Sequence, residues 1–381
     1  MKERIVMKII VAPDSFKGSC SAIEVANSIE KAILSVDSAV EVVKMPVADG
    51  GEGTIDAITS CVPAEIIEVE VCDPMGEIAL AQYAIIDGGQ TAIIEMAQAS
   101  GLPMVPVNKR NPLLATTYGT GQLMKDALDR GCKKMIIGIG GSATNDGGAG
   151  VLMALGASFK NDDGEELQVG GGALAELAEI DLTEFDARIY DVEITVACDV
   201  TNPLTGENGA SYVYGPQKGA TPEMVEELDS ALSHFAKKSA EKLGTDYSEY
   251  PGTGAAGGLG FALIAYCKAK FAAGIDIVLG VSGFEKELES ADLVITGEGR
   301  IDGQSVQGKV LYGIGIRAKE KNVPVIAIGG AIRSDSEALL DYGITAMFSI
   351  ANGPITLEYA MENGCELIEQ ITKNVIRVFL K

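Results

Sequence analysis

Short apolar runs that stop abruptly in polar, glycine-rich loops recur along this chain. Residues 7–12 (MKIIVA) read as a buried strand, and after the loop DSFKGS the apolar positions Ile23, Ala26, Ile29 and Ile33 return at helical spacing. Ser21 and Glu24 make the S-x-x-E pattern of a capping box, so the chain opens as strand, loop, helix. Residues 40–47 repeat the scheme, with a glycine-rich loop at 49–53 and a helix over 54–61. Near residue 64 the texture changes: 66–71, 80–86 and 91–96 read as strands of an antiparallel piece, joined through turn residues such as Asp73, Pro74 and Gly76. A helix over 119–131, a strand over 135–139 and a helix over 150–155 frame the next glycine-rich loop. A strand over 191–197 runs into Asp199, and helices follow at 222–243 and 260–271. The tail alternates strictly, with strands at 293–295, 323–328 and 347–350 and helices at 310–319, 336–342 and 356–379.

This order predicts an α/β protein of two domains. A Rossmann-like parallel-sheet domain takes residues 1–64 and 290–381, a second α/β domain (65–289) is inserted in it, and the active site is expected in the cleft between them. The length of 381 residues agrees with two domains. The strand before residue 140 fits either sheet.

Charge narrows the function. Thirty Lys and Arg against 54 Asp and Glu give a formal charge of −24, which argues against nucleic acid and anionic membrane surfaces as partners. Phosphates must then be bound locally, by backbone N–H groups, a few cations and a divalent metal. The seven cysteines are scattered without a C-x-x-C pair, as in a reduced cytoplasmic protein, and no apolar run reaches the roughly 18 residues of a membrane span. The one histidine, His234, sits on a polar helix pattern, which leaves no Ser-His-Asp or Cys-His chemistry.

Five strand-end loops carry the candidate chemistry, because ligands of α/β proteins bind outside the carboxyl ends of parallel strands. In the first, Asp14, Ser15 and Lys17 face the expected crevice, where Lys17 neutralises a carboxylate or phosphate unless it is simply an exposed loop lysine. In the second, Asp49 and Glu52 among glycines offer hard oxygen ligands for Mg²⁺, or else a solvated turn. In the third, Gly140, Gly141, Ser142, Thr144 and Asn145 precede a helix whose free N–H groups would bind phosphate, with Asp146 available to a metal. In the fourth, Asp199 with Asn202 is the leading candidate for a base or metal ligand, against a turn-capping role. In the fifth, Glu298 offers a further metal ligand, and Arg300 clamps a carboxylate or the transferring phosphoryl group, unless it pairs internally with Asp302. Gly303 to Lys309 mimics a P-loop but has Val310 where the magnesium-binding hydroxyl belongs, which leaves Gly308 and Lys309 as phosphate contacts. Gly252, Gly254 and Gly257 mimic a dinucleotide fingerprint without the strand it requires.

As an ordered set, the segments APDSFKGS (12–19), PVADGGEGT (46–54), IGGSATNDGGAG (139–150), ACDVTNPLTGENGA (197–210), GPQKGAT (215–221), GAAGGL (254–259) and TGEGRID (296–302) resemble the bacterial type 1 glycerate kinases across almost the whole chain. The resemblance implies ATP-dependent, Mg²⁺-supported phosphorylation of D-glycerate, with 2-phosphoglycerate as the favoured product. A nucleotide-independent phosphate-handling enzyme and a glycerate-binding sensor are the other classes that the loops alone would allow, and a homo-oligomer stays open.

Overall fold

The opening apolar run forms β1 (Lys8–Pro13), and the second forms β2 (Glu41–Lys44), in a computed structural model that describes residues 6–306 and 309–380. Between them the helix Ala22–Val36 starts at the expected capping box: Glu24 N donates to Ser21 Oγ at 3.3 Å, and Ser21 N donates to the Glu24 carboxylate at 2.8 Å. The chain falls into two units by contact density. One comprises residues up to Asp49, Asp56–Pro63 and everything from Ala273; the other comprises Gly50–Ile55 and Ala64–Ala272.

Within the second unit, β3 (Glu65–Cys72), β4 (Ile78–Ile86) and β5 (Thr91–Glu95) pair antiparallel, as their alternating pattern predicts. β6 (Lys134–Gly138) then joins β5 in parallel, which settles that the strand before residue 140 belongs to this sheet. A separate antiparallel pair, β7 (Ser158–Lys160) with β8 (Glu179–Asp181), lies outside the main ladder. With β9 (Glu193–Ala197) and β10 (Lys270–Ala272) the main sheet has the order β10-β9-β6-β5-β4-β3. Residue 271, expected at the end of a helix, is therefore in a strand; the helix stops at Ala265. Aromatic contacts anchor the core, where Phe235 meets Phe159 and Phe261 edge-on at 5.7 and 5.5 Å.

The chain then returns to the first unit with β11 (Leu293–Ile301), β12 (Val325–Ile332) and β13 (Ile344–Ser349). The resulting sheet, β13-β12-β11-β1-β2, is parallel throughout. Its middle strands are nearly continuous runs of Ile, Val and Leu because helices cover both faces. One expected helix, 356–379, is instead two, Leu357–Glu362 and Gly364–Phe379. Gly364, the first residue after the break at Asn363, sits against the first loop. A side chain at Gly364 would meet Ser19 Oγ at 2.2 Å and Cys20 Sγ at 3.1 Å, so the helix can approach the first loop only through a glycine.

Candidate active site

In the first unit the parallel register itself assembles a row of acids. Pro13 of β1 lies opposite Gly297 of β11, which sets Asp14 and Glu298 side by side one residue further on. On the other flank, Val47 N donates to Pro13 O at 3.0 Å, carrying Asp49 towards the same end of the sheet. β11 runs to Ile301, longer than its apolar pattern indicates, because it stays paired to β12 through Arg300–Ala331 and Ile301–Ile332. Glu298 and Arg300 thus belong to a strand and not to a loop, and their i, i+2 spacing points both to one face.

These residues surround a cavity of about 330 Å³. Asp14, Ser15, Lys17, Asp49, Glu298, Arg300 and Lys309 supply its polar side; Val310, Ile350, Leu357 and Met361 are among its apolar lining residues. A second cavity of about 230 Å³ shares Glu298, Arg300 and Lys309 and adds Asp302, Gln304 and Ser305. Arg300 Nε is 2.7 Å from the Asp302 carboxylate, yet its side chain is 58% exposed, so other N–H groups of the guanidinium still face solvent. Lys17 is 4.0 Å from Asp49 and largely exposed.

Crowding of acids shifts their protonation. Burial, reinforced by the Asp49 charge, pushes the Asp14 carboxyl up to about 6, against the pull of the Ser15 N–H and of Lys17. Burial also pushes Glu298 up to about 7, with the Asp14 charge adding to the rise. Opposing it are a short hydrogen bond donated by Ser305 Oγ and the nearby Lys309. Two carboxylates that would titrate near neutrality in one cavity are the usual mark of a working site.

The second unit presents a different arrangement. Gly141 is exposed with φ +75°, whereas Ser142 through Gly150 are buried. The predicted free N–H groups at the helix Ala149–Ala154 are not free. Asp146 accepts from Gly148 N at 3.1 Å and Gly150 N at 3.3 Å, as well as from Thr117 N at 2.7 Å and Thr117 Oγ1 at 2.9 Å, while Val151 N donates to Thr117 Oγ1. Fully buried and tied to these donors, Asp146 acts as the knot of its own loop. Burial raises its pKa, with those hydrogen bonds opposing. The accessible part of this segment is its leading edge, Gly140 and Gly141. It lies against the 50–53 loop, since a side chain at Gly140 would meet Gly51 Cα at 2.9 Å. Thr144 Oγ1 and Asn145 Oδ1 are buried and meet no hydrogen-bond partner among the described residues.

Glu52 is exposed on its loop. Asp199 is exposed two residues beyond β9 and raises the pKa of its neighbour Cys198, though less than burial does. Asn202 turns inward: its Nδ2 donates to Asn208 O at 2.8 Å, and its Oδ1 accepts from Tyr214. Gly308 lies outside the described residues. Gly257 packs on the 140–148 loop, where a side chain would meet Thr144 O at 2.0 Å, so the dinucleotide lookalike serves close packing.

Two buried charged residues were not read as such from the sequence. Glu95, at the end of β5, accepts from Ile55 N at 2.7 Å and so caps the helix Thr54–Cys61. Lys218 is 1% exposed, and its ammonium donates to Ser142 Oγ at 2.7 Å and Thr144 O at 2.6 Å. Burial lowers its pKa to about 7, with Asp146 opposing. The signal for Lys218 was its place between Pro216 and Gly219, a lysine enclosed by turn residues.

A parallel sheet with polar side chains gathered around a cavity beyond its strand ends is the arrangement of an α/β enzyme. Comparison with known proteins makes this specific. Residues 9–380 match the model of the glycerate kinase family. The chain is 51% identical to a glycerate kinase of Bacillus subtilis (strain 168) and 47% identical to the glycerate 2-kinase of Escherichia coli (strain K12), in each case over 97% of both chains. A crystal structure of a protein assigned as glycerate kinase 2 from Salmonella typhimurium LT2 superposes with a TM-score of 0.88 at 47% identity, covering 98% of each chain. The chain belongs to the glycerate kinase family, and it is a kinase. No helix among the described residues is long and apolar enough to cross a membrane.

Proposed function

We propose that this protein transfers the γ-phosphoryl group of ATP to the 2-hydroxyl of D-glycerate, releasing ADP and 2-phosphoglycerate. The observation that carries the reading is the row Asp49, Asp14 and Glu298 at adjacent strand ends, with Lys17, Arg300 and Lys309 around the same cavity. Phosphoryl transfer is mostly positioning and charge neutralisation, and it needs cations for the phosphates beside a carboxylate that can accept a hydroxyl proton. Glu298, near neutrality and beside cations, suits that acceptor better than Asp199, which is exposed and lines neither cavity. The cavity has more room than a three-carbon acid fills, and apolar Ile350, Leu357 and Met361 suit the nucleotide base.

The donor set also fits Mg²⁺. Asp14 and Asp49 are hard oxygen ligands whose mutual repulsion a cation would relieve, with Glu298 left to the proton. Among the described residues no three such side chains form a protein-only cage, and Mg²⁺ is commonly held by one or two carboxylates with phosphate and water completing its shell. Bound there, the ion would neutralise charge on the phosphate oxygens. Lys17 and Arg300 would orient the anionic groups, and Glu298 would hold the proton leaving the glycerate hydroxyl. On the second unit, the edge Gly140–Ser142 would bind an anionic oxygen group through backbone N–H groups.

Coupled ADP release with Mg-ATP and a panel of small hydroxy acids tests this reading. D-glycerate should give the highest kcat/KM; no ADP above background with any acid would end the kinase assignment to glycerate.

A further inference from the structure

Lys218 is the only described residue whose ammonium ties together both ends of the segment behind the Gly140–Gly141 edge, and nothing in the reaction chemistry above uses it. It is buried on every side. A buried charge is costly unless it is paired and hydrogen-bonded, and here it finds one hydroxyl, one carbonyl and the charge of Asp146. The loop itself, 140–148, contains no basic side chain.

We propose that Lys218 is a positioning residue of this kinase: from beneath the 140–148 loop its hydrogen bonds to Ser142 Oγ and Thr144 O fix the Gly140–Ser142 edge in the shape with which that edge holds an anionic oxygen of one substrate. Its side chain does not reach solvent, so it acts through the loop and touches no ligand. The inference rests on the reading that this edge binds substrate.

The test uses the full-length enzyme and three variants. Gly141→Val strains an exposed backbone position with φ +75° and reports which substrate the edge holds. Lys218→Met removes the buried charge at similar size, and Ser142→Ala removes its hydroxyl partner. Lys218→Met should raise about tenfold the Michaelis constant of the same substrate that Gly141→Val affects, as expected for losing hydrogen bonds to a charged group, with the other constant within about twofold. Ser142→Ala should move that constant in the same direction and add little in the Lys218→Met background. An unchanged constant in Lys218→Met, or a fall in kcat with both constants raised alike, would overturn the inference. If Lys218→Met does not fold, Ser142→Ala decides, and an unchanged constant there overturns it. If Gly141→Val affects neither substrate, the edge assignment fails and the inference falls with it, whereas ADP release by the wild type would still stand.

Discussion

Glu298 shows how a carboxylate acquires a working pKa without a special partner. It sits on a strand end, loses water to its neighbours, and feels Asp14 one strand away; a serine and a lysine hold it from rising further. Because its pKa is raised to about 7, the proton is on at low pH and comes off as pH increases. A group that must accept a proton then makes kcat/KM rise through the neutral range, with an apparent value belonging to the Glu298–Asp14 pair. Glu298→Gln should lower kcat about a hundredfold and abolish this rise, while Asp199→Asn should cost less than about tenfold. A pH–rate profile of both variants checks the assignment, and the reverse ranking would move the base to Asp199.

Asp14, Asp49, Glu298 and Lys17 were legible in the sequence as strand-end residues because polar groups that interrupt an apolar run have few structural reasons to be there. That they would line a crevice was expected; which of them share one cavity was not legible, since it depends on which strands are neighbours. Asp146 illustrates the opposite case. Its loop chemistry was read as metal or phosphate binding, but burial and several N–H partners give it the internal role of a cap. No local pattern distinguishes the two; only the position of Thr117, far away in sequence, does.

Among the elements, the paired strands β1 and β11 matter most, since their register aligns the acids. β11 was underestimated in length because residues 297–301 (GEGRI) lack the apolar pattern, yet ladder pairing to β12 holds them extended. The capping box at Ser21 was readable because it is entirely local. The close contact of Gly364 with the first loop was not, because it joins segments far apart in the sequence. Gly364→Val should therefore destabilise the enzyme by about 1–3 kcal/mol through overpacking against Ser19 and Cys20. Chemical denaturation followed by circular dichroism would measure it, and Gly364→Ala should fall between. Unchanged midpoints would mean that the loop yields freely.

For the whole molecule, acidity sets the conditions under which anionic substrates arrive. A surface with 54 acids against 30 bases repels ATP and glycerate at long range, and Lys17, Arg300 and Lys309 offset that repulsion at the cavity. Raising ionic strength from about 10 mM to about 150 mM at fixed free Mg²⁺ should lower the KM for ATP, because screening weakens that repulsion. A rise over this range would indicate that attraction by Lys17, Arg300 and Lys309 outweighs the net field.

Transfer of the γ-phosphoryl group of ATP to the 2-hydroxyl of D-glycerate can be followed by proton-coupled ³¹P NMR of the reaction. The γ-phosphate signal of ATP should disappear as a phosphomonoester signal grows, split into a doublet by the single proton on carbon 2. A triplet from a phosphorylated CH₂ group would place the phosphate on the 3-hydroxyl, and inorganic phosphate alone would mean that no phosphoryl group reaches glycerate.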